Sequence, residues 1–400
     1  MRTSLEVADV LRAAGPAYRA AHAGHLSLHQ FKVMSAIEHC RTAALGGHVE
    51  ACIDCGHWRI AYNSCRNRHC PKCQSLAQAR WVHQRIERIL PVHHFHVVFT
   101  LPAQLRGIAR QNRGLIFDLL FEAASRTLLE LGDDPRRLGG RLGLTAVLHT
   151  WTRELAFHPH LHCLVTGGGL CQTTGRWLSL GRSHLFHVKV LGALFRGKFL
   201  DGLRRLHRLG RLDLSGHAGR WADQTSFAAL LDRLYRTDWV VYAKRPFAGP
   251  ERVFRYLGRY THRVAISNQR IQHIDQDSIR FATKNGGAVT LSHEVFTRRF
   301  LDHVLPRGFT KIRHFGLYAS SNVNTKLPVA RACIDAGSTQ GAPATPRPLA
   351  WYELLLSLTG RDPTRCPRCG HRLILQPLPR LVAKPGPHGA GSHLAYRDTS

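Results

Sequence analysis

Acidic residues are scarce in this 400-residue chain: 26 Asp and Glu stand against 56 Lys and Arg, a formal net charge of +30. Self-repulsion of that size excludes an acidic or neutral housekeeping surface and calls for a polyanionic partner. Long apolar runs are also missing, and Glu6 and Asp9 stand where a secretory signal keeps its apolar core. The sequence is therefore expected to act in the cytoplasm, with no membrane as partner. It has no GxxxxGK[ST] loop, which removes the usual cradle for ATP. No internal repeat is found. Residues 336–348 (AGSTQGAPATPRP) have a linker composition.

What is present points to nucleic acid. Arg supplies 47 of the 56 cations, and its planar fork suits phosphate. Hydrophobic residues make up 44% of the chain, enough for folded cores, and the length suggests two or three units. Six of the eleven cysteines fall between Cys40 and Cys73. In a reducing compartment that clustering reads as metal ligation, not disulfides. Cys52-x2-Cys55 and Cys70-x2-Cys73 form two hooks expected to share one tetrahedral Zn2+. Cys40 and Cys65, with His39, His48 and His69, could hold a second zinc, though spacing does not distribute them. Arg66, Arg68 and Lys72 sit on the loops such a metal would stiffen and are candidate DNA contacts, as is Arg59. Cys366-Pro-Arg-Cys369-Gly-His371 is an isolated hook, read either as half a zinc knuckle completed by His371 or a later His, or as a turn.

Periodicity organises the rest. Residues 26–38 and 74–90 carry helical spacing on either side of the cysteines. HFHVVFTLP reads as a strand, residues 114–132 as a long apolar helix, and LTAVLHTW with HLHCLVTG as an antiparallel hairpin. A basic amphipathic helix follows at 191–209, a strand at 239–243, and a helix at 250–262 begun by Pro250. VAISN, SIRFAT and AVTLS read as strands, Glu294 to Leu305 as a helix, and AWYELLLSL as a short helix. The expected class is α+β: a helical zinc-binding, DNA-binding module over 1–90, then a catalytic domain over 91–335 with a central, mostly antiparallel sheet flanked by helices. The linker, a unit over 349–383 with the short helix and hook, and a disordered tail over 384–400 complete the chain.

Two constellations carry chemistry. In a strand, His160 and His162 project from one face and can share a cation. In PERVFRYLGRYTHR, Tyr256 and Tyr260 lie four residues apart on the expected helix, beside Arg255, Arg259 and Arg263. Guanidinium groups favour phenolate and neutralise phosphate, which suits attack on a phosphodiester.

The order FTLP at 99–102, His-Leu-His at 160–162 and Tyr-x3-Tyr at 256–260 resembles the HUH superfamily of rolling-circle nucleases. Together with CRTAALGGHVEACIDCG, YNSCRNRHCPKCQ and YLGRYTHRVAISN, the stretch from about 26 to 320 looks like the ninety-one-like family of rolling-circle insertion-sequence transposases. The resemblance implies an HUH nuclease fold in which His160 and His162 hold a catalytic Mg2+ or Mn2+. It implies a third ligand from the neighbouring strand, for which His149 is the candidate and Glu154 the alternative. It implies Tyr256 and Tyr260 as nucleophiles that form 5′-phosphotyrosine links, with single-stranded ends of the parent element and target DNA as substrates and no ATP. The competing reading is a zinc-dependent DNA-binding regulator without catalysis.

Overall fold

The computed structural model describes residues 5–73, 79, 81, 85, 88–181, 183–247, 265–336 and 350–378. The expected helices over 74–90 (in large part) and 250–262, the linker and the tail lie outside the described residues, and so do Tyr256, Tyr260, Arg255, Arg259 and Arg263.

The chain opens with α1 (Val7–Ala21), which buries Val7, Val10, Leu11 and Tyr18 at helical spacing. The helix α2 (Leu28–Glu38) begins with a capping box in which the Ser27 hydroxyl accepts from the Gln30 amide and the Gln30 side chain accepts from the Ser27 amide. Two short strands follow, β1 (Gly47–Ala51) and β2 (Trp58–Tyr62), then β3 (His94–Thr100). After α3 (Arg106–Gln111) comes the long α4 (Arg113–Asp133), then the hairpin of β4 (Arg141–Trp151) and β5 (Phe157–Leu170), with β6 (Trp177–Ser179) added to β5. The helices α5 (Val188–Arg208) and α6 (Gln224–Arg236) precede β7 (Val241–Phe247). A meander of β8 (Ile271–Ile274), β9 (Ser278–Ala282) and β10 (Ala288–Ser292) leads into α7 (His293–Leu301). The strand β11 (Ile312–Gly316), the helices α8 (Lys326–Ala336) and α9 (Trp351–Thr359), and β12 (Ile374–Leu378) complete the described elements.

The central sheet runs β11-β4-β5-β3-β7, with β6 beside β5, and every pairing is antiparallel. Alternation gives it two unlike faces. Phe95, Val97 and Phe99 of β3, Leu144, Ala146 and Leu148 of β4, and Phe157, Leu161, Cys163 and Val165 of β5 join one core with Phe117, Leu120, Phe195 and Phe199 of α4 and α5. The opposite face carries Val147 and Leu164, covered by Leu317, Leu327 and Ala330, and beside them a row of histidines. The chain is thus α+β, as its sequence implies.

Three expectations are corrected. VAISN is not a strand: the chain stays irregular there and turns through Asn268–Arg270 before β8. The β8–β10 meander does not extend the central sheet; with Phe296 and Phe300 of α7 it buries Phe281 and Ile279 against Val33 and Met34 of α2 and Leu11 of α1. The unit expected over 349–383 is joined at Ile374–Leu378 to the amino-terminal module, where β12 pairs residue for residue with β1, from Gly47↔Leu378 to Ala51↔Ile374. The last two corrections have one cause: short strands find their packing and pairing on distant segments.

Candidate metal centres and active site

The two hooks expected to share one ion do not meet. Cys70 and Cys73 converge with Cys40, which follows α2, and with Cys65; all four ligand atoms lie within 4.8 Å of one another. Sulfur separations are 3.5 Å for Cys40–Cys73 and 3.6 Å for Cys65–Cys73. Four sulfurs bound to one Zn2+ stand about 3.8 Å apart, so the set fits that ion and closes its coordination. Hydrogen bonds from Cys65 and Cys70 pull the Cys73 thiol far down, while the same contacts and burial push Cys70 up. Binding of a dication there requires the thiols to ionise and release protons. The pairing of the hooks failed because spacing fixes ligands only within a turn, whereas Cys40 is brought in by the packing of α2. Cys52 and Cys55 face Cys366 and Cys369 instead, with ligand atoms again within 4.8 Å.

His39, His48 and His69 join neither cluster. His69 is buried, and its Nε2 accepts from the Leu305 amide at 3.2 Å, which ties the cysteine loop to the segment after α7. Burial lowers its pKa to about 3, so it stays neutral. The cations flanking this cluster divide. Arg68 donates to the backbone carbonyls of Phe309 and Pro306, and Lys72 to the Glu6 carboxylate and the Cys40 carbonyl. They hold the loop to the protein, because carbonyls and a carboxylate stranded there need donors. Arg66 is exposed.

On the open half of the sheet face, His149, His160 and His162 bring their ring nitrogens within 4.8 Å of one another. Antiparallel register explains this: His149 of β4 lies directly across from His160 of β5, and Val147 across from His162. Glu154 sits on the exposed turn between the strands, outside the group. Nδ1 of His160 lies 2.7 Å from the His158 carbonyl and must donate to it, which leaves Nε2 with its lone pair. Nδ1 of His162 lies 2.8 Å from Nε2 of His96, the two rings being parallel within 2°. Trp151 stacks on His149 at 4.6 Å. Burial holds His160 and His96 near a pKa of about 4 and drives His162 well below its ordinary value. All are neutral at pH 7, the form that binds a metal. Three imidazoles with no fourth protein ligand in the group leave coordination positions open for oxygen ligands such as a phosphate.

His96 escaped the sequence reading because it is one of 27 histidines. Its signal was the alternation His94-Phe-His96 in a strand, which puts a second histidine pair on the face that carries His160 and His162.

Two family models match in sequence order. One, described as a transposase zinc-binding domain, covers residues 10–101, and the other, described as a putative transposase, covers 143–326. The chain is 46% identical over 375 residues to the putative transposase y4qJ of Sinorhizobium fredii, covering 92% of this chain and 94% of that protein. It is 28% identical over 346 residues to the transposase for insertion sequence element IS801 of Pseudomonas savastanoi pv. phaseolicola, covering 84% and 80% respectively. No solved structure shows a significant match. Among the described residues no helix is long and apolar enough to cross a membrane. A zinc-binding amino-terminal module joined to a transposase core, over nearly the whole length of these relatives, makes this chain a member of the ninety-one-like family of insertion-sequence transposases.

Proposed function

We propose that this transposase moves DNA by a rolling-circle route, cutting and rejoining single strands through 5′-phosphotyrosine links to Tyr256 and Tyr260. The observation that supports the reading is the convergence of His149, His160 and His162 on the open sheet face. A regulator that only binds DNA has no use for three imidazoles whose ring nitrogens lie within 4.8 Å of one another.

His149, His160 and His162 would hold Mg2+ or Mn2+, which when bound polarises the scissile phosphate. A tyrosine oxygen attacks phosphorus, forming the P–O(Tyr) bond. The P–O3′ bond breaks, and the 3′ oxygen leaves as a hydroxyl once it takes up a proton. Rejoining is the reverse, with a 3′-hydroxyl attacking and the tyrosine departing. The phosphodiester energy is kept in the covalent link, so the chemistry draws on no ATP. His158 and His96 keep the inner imidazoles oriented, which lowers the cost of organising the site. Lys244, which raises the positive potential at His96 and His162, favours an approaching phosphate. The two tyrosines, one helical turn apart in sequence, allow a donor end to be held while a second strand is cut. The substrates are the single-stranded ends of the parent element and target DNA, met in the cytoplasm, with Arg66, Arg255, Arg259 and Arg263 contributing phosphate contacts.

The test is incubation with single-stranded oligonucleotides spanning the element's ends, with Mg2+ or EDTA, on denaturing gels. A metal-dependent protein–DNA adduct is expected, absent from the Tyr256→Phe, Tyr260→Phe double variant. An adduct mapped to another residue, or one formed by the double variant, would overturn the assignment.

A further inference from the structure

The hook near the end of the described chain repeats one near its start. Cys366-Pro-Arg-Cys369-Gly-His371 has the pattern of Cys52-Ile-Asp-Cys55-Gly-His57. The repetition extends to the backbone. Cys52 donates its amide to the His57 carbonyl at 2.8 Å, and Gly56 to the Cys52 carbonyl at 3.1 Å; Cys366 donates to His371 at 2.7 Å, and Gly370 to Cys366 at 2.9 Å. Gly56 and Gly370 both take left-handed backbone, φ 66° and 81°, which a side chain would strain. The two turns face each other. Cys52 Sγ stands 3.4 Å from Cys369 Sγ, and Cys55 Sγ stands 3.6 Å from Cys366 Sγ. The Arg368 amide also donates to the Cys366 sulfur at 3.4 Å, the support a bound thiolate receives in such a turn.

We propose that Cys52, Cys55, Cys366 and Cys369 hold a second Zn2+, and that this ion clasps residues 350–378 onto the amino-terminal module. The sulfur spacing approaches the roughly 3.8 Å of a zinc-bound set and lies well beyond the roughly 2.05 Å of a disulfide. The surroundings show why an ion is needed. The local apolar cluster is Cys52, Cys366 and Leu373 with Cys55 beside them, and Ile374 and Leu375 of β12 are 45% and 58% exposed. A three-stranded sheet with so little core does not hold itself together in water, so the metal supplies the missing cohesion. When the clasp is closed, β12 covers the edge of β1; when it opens, that edge is bare. The inference is independent of the tyrosine chemistry, since it concerns only what binds the two ends of the chain.

Elemental analysis of the full-length protein should find two zinc per chain, falling to one in the Cys366→Ser, Cys369→Ser double variant. A protease site placed within 337–349 supplies the second readout. After cutting, the two pieces of the wild-type sequence should co-elute in gel filtration, and those of the double variant should separate. Should the variant aggregate, alkylation of the unsubstituted protein decides: Cys52, Cys55, Cys366 and Cys369 should be protected together and become reactive together when zinc is withdrawn. One zinc in the wild type, an unchanged zinc count in the variant, cut variant pieces that stay together, or cysteines that react only after reductant would each overturn the clasp.

Discussion

The cluster of Cys40, Cys65, Cys70 and Cys73 and the cluster of His149, His160 and His162 are both buried groups of metal-binding side chains, yet they are built for opposite purposes. The first offers four soft thiols from loops, with spacing that closes a tetrahedron around zinc and leaves no position for anything else. The second offers three imidazole nitrogens from two neighbouring strands of a well-packed sheet, with positions left over. The difference lies in what surrounds each. Around the cysteines the ligands come from loops that pack on α1, α2 and α7, with Cys40 and Cys70 inside that apolar cluster. Around the histidines the far side of the sheet is packed with phenylalanines, and two adjacent strands set the ring positions. The cysteines are gathered by packing between distant segments, the histidines by register within one hairpin.

The largest effect that comparison predicts is at the cysteines. Cys70→Ser should remove one zinc and unfold the module, because zinc in small modules supplies about 10–16 kcal/mol of apparent binding energy that is also folding energy. Zinc content and solubility report it, and a soluble variant with undiminished zinc would remove Cys70 from the ligands. The histidines should behave in the opposite way. The His160→Ala, His162→Ala double variant should keep its zinc, its circular dichroism and its DNA binding while strand cleavage falls by a factor on the order of 10³, about 4 kcal/mol of barrier. Loss of folding in step with loss of cleavage would show that the two centres are not separate in kind.

The same contrast decides what could be read from the sequence. His160 and His162 were legible because strand alternation is regular; His149 came only from the family resemblance, and the structure places it directly across from His160. The strands β3, β4, β5 and β7 were legible from their apolar and β-branched runs, and α2, α4 and α5 from 3.6-residue spacing, whereas β6 and β11 of the same sheet were not read. The cysteine sets were not, because a CxxC turn names two ligands and leaves the other two to tertiary packing. Cys40 arrives by way of α2, and Cys366 and Cys369 arrive across more than three hundred residues. A signal existed in the repeated C-x2-C-G-H pattern, which is too short to stand out as an internal repeat. Arg68 and Lys72 look like DNA contacts by charge alone, and only the stranded carbonyls and Glu6 beside them reveal their structural work. The helix α1 was not read, although Val7, Val10, Leu11 and Tyr18 stand at helical spacing and are buried there.

Acid sharpens the comparison further. His94, His96, His160 and His314 share the imidazole-bearing face, and burial, the main cause for each, holds them at a pKa of about 4 in the folded chain, against 6.5 for the free side chain. The unfolded chain therefore binds protons that the folded chain refuses. Stability is fully present above pH 6.5 and is lost as pH falls toward 4, by up to roughly 1.4 kcal/mol per unit for each histidine. Denaturant titrations without added Mg2+ or Mn2+ between pH 7.5 and 4.5 should show the midpoint falling below 6.5. A flat profile would mean that the face takes up protons without unfolding.

The smallest predicted effect concerns His96, which stands behind His162. Its Nε2 fixes the His162 ring at 2.8 Å, and removing such a support typically weakens metal binding by about 10–100-fold. In His96→Ala the Mn2+ affinity, read by electron paramagnetic resonance, should fall by that factor, while cleavage at saturating Mn2+ returns close to the wild-type rate. His96→Gln, which can restore one hydrogen bond to Nδ1, should recover part of the affinity. A packing role predicts something else. Loss of the ring would then lower thermal stability and the saturated rate together, with no rescue by metal. Because His162 is held from β3 and His149 comes from β4, unchanged Mn2+ affinity in His96→Ala would mean that the sheet alone sets the His162 ring.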